Sequence, residues 1–474
     1  MSDGPASGGR SRTVRDALGS VQVPADARYG AGTARAAAWS VSSLRMPLPV
    51  VHALGHLKGA AARAHGDAGR LPATVSAVIE QAAAEVAAGR HDEQFVVDVF
   101  QTGSGTSSHM NANEVIAHRA NELLGDGADG AVHPNDHVNL AMSSNDVMPS
   151  AAQLAAVLAV ERQLWPALDR LGEALHALAD RHWDDVRTGR THLMAAVPIR
   201  FGQQFRGHAE LLGRARARLS RSTDGCRALP LGGTAVGTGV NCPPGFAAAT
   251  CRALAGATGV RVHETSEHLA AAGSLDLLAA LVADLRGLAT ALGKVADDVR
   301  WQASSALREV ELPALQPGSS IMPGKQNPVV CEAVLMVCAQ VVGNDAAVAF
   351  AATQGRFELN TMLPVIAHNA IQAIELLAGA AARFASHCLE GLRLGADAGR
   401  GVDRDPMLAT ALAPVLGYDR AAALAKLAAR EGRAVLDVAR AETDLPAERL
   451  AELLDPRRLC GEFGRQRRRE PPPA

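Results

Sequence analysis

Apolar residues in the middle of the chain follow a helical period. Leucines recur at steps of three and four residues between positions 164 and 178, and a longer leucine and valine run extends from Leu275 to Val299 without a proline. This spacing places the apolar side chains on one face of a helix. At 1.5 Å per residue, the second run predicts one helix of about 40 Å, a length typical of helical bundles.

A third apolar segment, residues 329–352, is hydrophobic on nearly every face of a helix. A helix of this kind has to be buried on all sides, either inside a bundle or between subunits. Several long helices of this type favour a mainly α fold whose central bundle continues across an oligomer interface.

The pattern divides the chain into three predicted regions. Residues 1–140 are mixed, with loops rich in proline and glycine around shorter helices. Residues 141–396 are predicted to form long helices. Residues 397–474 read as a small helical domain of shorter helices that ends in a basic, proline-rich tail, which we expect to be solvated.

Composition narrows the class of protein. The chain has 474 residues and a formal net charge of −2, so no global field attracts nucleic acid or an anionic membrane. Its seven widely spaced cysteines contain no CxxC pair, which is typical of reduced thiols rather than a disulfide framework or a zinc site. We therefore expect a soluble, cytoplasmic protein with no nucleic-acid or membrane partner.

Polar residues gather in five clusters on this alanine-rich background. The clusters are Thr102–Thr106, His133–Asp136, Ser143–Asp146, Gly189–His192 and Gly318–Asn327. Hydroxyl and amide groups near helix N-termini are suited to binding carboxylates, because the free N–H groups and the helix dipole favour an anion there. The alternative for each cluster is an ordinary N-cap, and the first could simply start a helix over residues 107–115.

The side chains in these clusters suggest one type of chemistry. Ser319 follows Gly318 in a loop whose backbone N–H groups could steady an alkoxide or enolate, and Lys325 could hold a carboxylate as charge develops on it. His192, hydrogen-bonded to a carboxylate, could act on a water molecule. No metal-ligand spacing or cofactor loop is present in the sequence. The set predicts proton abstraction beside a carboxylate, followed by elimination without a metal or organic cofactor.

The segment GSSIMPGKQNP resembles the signature of the fumarase/aspartase superfamily, and further motifs occur in that family's order. They are QTGSGTSSHMNANEV, VHPNDHVN, SSNDVMPSA, GRTH, LGGTAVGTGVN and FELN. Within the superfamily, SSND, GGTAVGTG and FELN are most similar to class II fumarate hydratase. Aspartate ammonia-lyase and a specialised lyase or hydratase for a substituted succinate or fumarate remain alternatives, and a non-catalytic homologue is a third.

The resemblance implies a three-domain fold and a homotetramer whose active sites draw segments from three subunits. It also implies hydration of fumarate to (S)-malate in the tricarboxylic acid cycle, with Ser319 removing the C3 proton of malate. His192, paired with Glu332, would act through water on the C2 hydroxyl. The implied substrate-binding residues are Ser104, Gly105, Thr106, Ser143, Ser144, Asn145, Thr191, Ser320, Lys325, Gln326 and Asn327. A second anion site is implied at His133, Pro134, Asn135 and Asp136.

Four departures from the family pattern lie near these residues. Gln326 stands where the family usually has valine, and Met194-Ala195 replaces a polar pair after GRTH. The segment Ser304–Glu309 enters the signature loop about three residues short. Ala272-Gly273 stands where the family often has His-Asp early in the long helix. These departures leave the exact substrate open.

Overall fold

The computed structural model describes residues 10–125 and 132–461. Helix accounts for 62% of the structure, which confirms the mainly α class. The chain divides into two compact, discontinuous units. The first comprises Met1–Trp165, Ala217–Ala289 and Ala339–Ala378, and the second comprises Pro166–Arg216, Thr290–Cys338 and Gly379–Ala474. The division into domains 1–140, 141–396 and 397–474 stays a prediction.

The helices of the described residues include long rods in the middle of the chain and short helices near its end. They are α1 (Ala31–Ala37), α2 (Leu48–Asp67), α3 (Ala73–Ala87), α4 (Thr106–Leu124), α5 (Ser144–Ala159), α6 (Trp165–Arg181), α7 (Phe201–Gly225), α8 (Phe246–Thr258), α9 (His268–Gly273), α10 (Asp276–Gln302), α11 (Val329–Ala352), α12 (Leu363–Phe384), α13 (Ala413–Leu416), α14 (Tyr418–Glu431), α15 (Val435–Glu442), α16 (Ala447–Leu453) and α17 (Pro456–Leu459).

The strands form small two-stranded sheets. They are β1 (Ser11–Asp16), β2 (Gly19–Pro24), β3 (Val186–Thr191), β4 (Met194–Arg200), β5 (Ala228–Leu229), β6 (His263–Glu264), β7 (Val310–Glu311), β8 (Gly355–Arg356), β9 (Leu359–Asn360) and β10 (Arg393–Leu394). The pairs β1–β2, β3–β4, β7–β10 and β8–β9 are antiparallel, and β5–β6 is parallel.

The periodic segments form the predicted helices. The leucines of α6 at positions 168, 171, 175 and 178 are buried, as are those of α10 at 278, 281, 285, 288 and 292. Helix α10 is 27 residues long, which gives about 40 Å at 1.5 Å per residue. Periodicity succeeds here because a repeated apolar stripe fixes both the helix and the face that it buries.

Helix α11 buries one face within the single chain. Val334, Val341 and Val348, spaced by seven residues, are buried, whereas Met336 is 67% and Phe350 is 66% exposed. Within the single chain α11 therefore packs only one of its apolar faces, and burial on all sides stays a prediction. Burial of the other face between subunits stays open.

Two helical spans, Val329–Ala352 and Leu363–Leu389, are long and apolar enough to cross a membrane by length and composition alone. Half of the second span's apolar window is buried inside the protein. Core helices of soluble proteins pass the same test, so these spans are weak evidence for a membrane protein.

Three local expectations also need correction. The hairpin β3–β4 interrupts the region predicted to be long and helical, and α2 and α4, with 20 and 19 residues, are not short. Ala272-Gly273 ends the separate helix α9 instead of beginning α10. Gly273 is needed there, because a Cβ atom would lie 2.9 Å from the carbonyl oxygen of Phe357. The N-terminal nine residues and the basic tail lie outside the described residues.

Candidate active site

Three hydroxyl groups meet in the first unit. The Thr106 Oγ1 lies 2.7 Å from the Ser104 Oγ and 2.7 Å from the Ser144 Oγ. Ser104 is buried, and the other two side chains are half-buried. Two of the predicted clusters, at 102–106 and 143–146, therefore form one group of hydroxyls at the N-termini of α4 and α5. Such a group can donate several hydrogen bonds to one carboxylate.

The turn before α4 is shaped to present these hydroxyls, and it does not cap the helix with a side chain. The N-cap is Gly105, with φ +77° and no side-chain cap. A Cβ atom at Gly105 would lie 2.8 Å from the Met148 Cε, so both the backbone conformation and the space favour glycine. Helix α4 begins at Thr106, one residue before the predicted start. Side-chain capping is therefore wrong as an explanation of this cluster.

Side-chain capping does explain part of the Ser143–Asp146 cluster. The Ser143 side chain caps α5 by accepting from the Asn145 N–H at 3.2 Å, and Asp146 Oδ1 accepts from the Ser143 N–H at 2.9 Å. Asn145 itself is not a cap, because its amide Nδ2 donates to the carbonyl of Ala235 at 2.8 Å. That bond fixes the orientation of the amide beside the hydroxyl group of Ser144.

Asp146 is a residue of this site that the predicted set omits. Its carboxylate is 2% exposed, and its Oδ2 accepts from the N–H groups of Gly232 and Thr234 at 2.9 and 3.0 Å. Burial raises the pKa of this carboxyl, and the backbone donors oppose the shift. Asp146 therefore joins the SSND motif to the LGGT motif. The signal in the sequence was an acidic residue inside an otherwise neutral cluster.

The predicted second anion site forms a single turn of π-helix, Pro134–Val138. The His133 Nδ1 accepts from the N–H groups of Asn135 and Asp136 at 3.3 and 3.2 Å, and the His133 N–H donates to the His137 Nδ1 at 2.8 Å. Asp136 and His133 are exposed. These contacts account for the local turn, and an anion-binding role of the segment stays a prediction.

The signature loop lies in the second unit and surrounds Ser319 with backbone donors. The Ser319 Oγ accepts from the N–H groups of Ile321 and Met322 at 3.2 and 3.0 Å. Two N–H donors aimed at one hydroxyl oxygen stabilise negative charge on it and leave its proton free to be given away. The role of Ser319 as a base stays a prediction.

Hydrogen bonds between its two ends close the signature loop. The Gly318 N–H donates to the carbonyl of Lys325 at 2.8 Å, and the Asn327 Nδ2 donates to the carbonyl of Gly318 at 3.0 Å. Lys325, Gln326 and Ser320 are exposed. Within the part of the chain that the structure describes, the Lys325 ammonium has no ion-pair partner. Binding of an anionic group by Lys325 stays a prediction.

Thr191 and His192 lie at the exposed tip of the β3–β4 hairpin. Thr191 pairs with Met194, so His192 and Leu193 form a two-residue turn, with φ +55° and +61°. Non-glycine residues in this left-handed region cost about 1–2 kcal/mol each, and such strain often occurs at functional sites. This strain has no signal in the sequence, since neither residue is glycine.

A buried carboxylate anchors the hairpin from inside the second unit. The Arg190 Nη1 donates to the Glu309 Oε1 at 2.7 Å, and Glu309 is 3% exposed. Arg190 precedes Thr191, so this pair fixes the strand that carries Thr191 and His192. Glu309 was recognised only as the end of the shortened segment 304–309, because the sequence does not show which arginine it contacts.

Glu332 lies in the first turn of α11 and is half-buried. No hydrogen bond joins His192 and Glu332 among the described residues of the second unit. Their pairing stays a prediction. Each unit thus holds part of the predicted set. The first unit holds the hydroxyls of Ser104, Thr106 and Ser144. The second unit holds the signature loop with Ser319 and the hairpin with His192.

Comparisons with known proteins cover nearly the whole chain. A family model described as Lyase matches residues 19–343, and one described as Fumarase C C-terminus matches residues 408–461. Class II fumarate hydratases of Pseudomonas putida and Xylella fastidiosa are 46% and 45% identical, over 96% and 95% of this chain and 100% and 95% of theirs.

Solved structures agree with the sequence relatives. A class II fumarase from Schistosoma mansoni has a TM-score of 0.92 at 35% identity and covers 96% of this chain and 100% of its own. A fumarate lyase:delta crystallin from Brucella melitensis has a TM-score of 0.89 at 40% identity, over 95% of this chain and 100% of its own.

Proposed function

The chain belongs to the class II fumarate hydratase family, and we propose that its polar clusters carry out the reversible hydration of fumarate to (S)-malate. The enzyme type is that of its relatives, a lyase of the fumarase kind. The observation that carries the residue assignment is the pair of N–H donors at the Ser319 Oγ. It supports Ser319 as the group that exchanges a proton with carbon.

In the direction of malate dehydration, the Ser319 alkoxide takes the proton from C3. The electron pair left on C3 is delocalised into the adjacent carboxylate, which becomes a dianionic aci-carboxylate, while the second carboxylate keeps its single charge. Lys325 and Asn327, which belong to the same closed loop as Ser319, are assigned to stabilise that charge, with Lys325 as the cation. Preorganised donors of this kind cost no reorganisation when the charge develops.

The second step expels the C2 hydroxyl group as water. His192, with Glu332 as its carboxylate partner, is assigned to deliver the proton through a bound water molecule. The electron pair on C3 forms the double bond as the C2–O bond breaks, so the products are fumarate and one water molecule. His192 lies at the exposed tip of the β3–β4 hairpin, where the surface of a neighbouring subunit could contact it. This exposure supports the proposed role.

The substrate's carboxylates are assigned to the hydroxyl and amide groups. Ser104, Thr106, Ser144 and Asn145 form one set in the first unit. The hydrogen bonds Ser104–Thr106 and Thr106–Ser144 align the hydroxyls without any charged partner, so the negative charge of the ligand is not opposed. Gly105, Ser143, Thr191, Ser320 and Gln326 complete the proposed binding set.

We assign a homotetramer on the strength of α11. This helix exposes Met336, Val342 and Phe350 along a segment that is apolar throughout. An uncovered apolar face is typical of a subunit interface, and a second copy of the same chain is the occupant that the family resemblance implies. Sites completed by neighbouring subunits would then unite the two sets of residues.

The direct test is an assay of purified protein with fumarate and with malate, in which the ultraviolet absorbance of fumarate measures the turnover. Conversion in both directions is expected, and an excess of chelator should leave the rate unchanged. Absence of turnover on both substrates would contradict the proposal. We place the activity in the cytoplasm and in the tricarboxylic acid cycle, as the family resemblance implies.

A second candidate, activity on a substituted fumarate, is favoured by one observation. A cavity of about 320 Å³ lies in the second unit beside the signature loop, and Gln326, Asn327, Arg308 and Glu311 line it. Such a volume is at the lower end for a small-molecule pocket. Gln326 would offer its amide to a polar substituent. Methylated fumarates and aspartate, assayed beside malate and for ammonia release, distinguish these activities.

A further inference from the structure

A buried lysine of the first unit contacts the two segments that carry the hydroxyls of Thr106 and Ser144. Lys58, on α2, has no exposed surface, and its Nζ donates to the His109 Nε2 at 2.9 Å and to the Asn139 Oδ1 at 2.8 Å. Burying a charged group is costly unless it is paired, so a fully buried lysine in a helix packed with alanine and leucine calls for a specific role.

The two acceptors belong to the two segments that carry the hydroxyls. His109 lies in the first turn of α4, three residues after Thr106, and its N–H donates to the Gly105 carbonyl at 3.0 Å. Asn139 begins the turn that leads to Ser143, since its Nδ2 donates to the Met142 carbonyl at 3.1 Å. One amino group therefore fixes both segments.

The charge around Lys58 matches this arrangement. Burial lowers its pKa from 10.5 to about 7, and Asp146 opposes that shift. Burial also lowers the pKa of His109 well below its usual value, so the imidazole is neutral and its Nε2 can accept. An uncharged lysine has two N–H bonds, one for each of these acceptors.

We propose that Lys58 is a positioning residue for substrate binding, which holds Thr106 and Ser144 in contact by anchoring His109 and Asn139 together. It does not touch substrate. The role in malate and fumarate binding rests on the proposed function, whereas the effect on dicarboxylate affinity can be measured without turnover. Hydroxyls displaced by about 1 Å would form weaker hydrogen bonds to a carboxylate. In enzymes, a displacement of this size can lower the reaction rate by up to about 100-fold.

The test uses Lys58→Met, which keeps the length of the side chain and removes both donors. The Kd of succinate, an unreactive dicarboxylate, is measured by calorimetry, and KM and kcat for malate are measured beside it. We expect Kd and KM to rise about 10-fold or more, with kcat changed much less. An unchanged Kd, or wild-type protein that does not bind succinate, would overturn the inference.

A matched control separates positioning from general loss of stability. Leu54→Ala removes a fully buried side chain one turn earlier on α2 and leaves the amino group of Lys58 in place. It should lower the unfolding temperature at least as much and leave the Kd of succinate within about twofold. Equal Kd changes in both variants would mean that Lys58 acts only through stability.

Asn139→Ala supplies a second route if Lys58→Met does not fold. It removes one of the two acceptors and should also weaken succinate binding. Where both variants fold, the double variant should weaken it by less than the product of the single effects, because both remove the same contact. Multiplying effects would contradict the shared anchor. Wild-type protein that binds succinate but turns over neither malate nor fumarate would sink only the hydratase proposal.

Discussion

The hydroxyl oxygens of Thr106 and Ser144 lie 2.7 Å apart although 38 residues separate them in the chain. Each stands in the first turn of its helix, so their contact fixes the N-termini of α4 and α5 against each other. The proposed carboxylate site is therefore a product of two helix starts, and neither helix supplies it alone.

Thr106→Val replaces the hydroxyl by a methyl group of nearly the same size. It removes the Oγ1 that contacts both Ser104 and Ser144, and we expect kcat/KM for malate to fall about 10- to 100-fold. Steady-state kinetics measure this. The matched control is Thr250→Val, which removes a buried hydroxyl that donates to the carbonyl of Phe246 within α8. A similar kinetic loss in both would argue against a binding role for Thr106.

Ser319→Ala should abolish the proposed base. Loss of general base catalysis typically costs about 10²- to 10⁴-fold, and we expect kcat to fall by that amount while the oligomer stays intact. Exchange of the malate C3 hydrogen with solvent should fall in parallel. Ser220→Ala, an exposed serine on α7, serves as the control. Turnover of malate by Ser319→Ala at the wild-type rate would show that another group takes the proton.

Met336→Asp combined with Phe350→Asp should break the proposed tetramer. Both side chains lie on the exposed apolar face of α11, and burying two carboxylates at an interface without partners is strongly unfavourable. Light scattering should report a smaller species, and activity should fall with it. Leu18→Asp, which changes an 80% exposed leucine in the β1–β2 turn, should leave the mass unchanged. A tetramer that survives the double change would place the interface elsewhere.

The pKa of Lys58 predicts a pH dependence of stability. The folded protein holds this lysine at a pKa of about 7, and the unfolded chain holds it near 10.5. Between these values the unfolded state binds a proton that the folded state does not, so the contribution of Lys58 becomes more favourable as pH rises. Below about pH 7 the cost of burying the charge is present in full.

The comparison that isolates this effect is the unfolding midpoint of wild type and Lys58→Met at pH 7, 8 and 9, at one protomer concentration. The wild-type midpoint should gain on that of the variant with each step, since other titrating groups are common to both proteins. A constant difference would mean that Lys58 keeps its ordinary pKa in the folded protein.

Parts of the site could be read from the sequence because their signals are local. The hydroxyl, amide and lysine clusters stand out against an alanine-rich chain, and their collinear order identified the family. Lys58 was missed although it left a trace. It follows Leu54 and Leu57 at apolar positions of the α2 repeat, so a charged residue falls on a buried stripe. Its partners, His109 and Asn139, cannot be known from α2 alone.

By itself, the sequence determined the helical class, the extents of α6 and α10 and the residue types available for chemistry. These depend on near-neighbour periodicity and on short motifs. Only the tertiary structure decided which hydroxyls meet, which acceptors surround Lys58, that His192 sits in a strained turn and that α11 buries one face. Those features are contacts between residues far apart in the chain, and their geometry is set by the packing of whole helices and not by any local pattern.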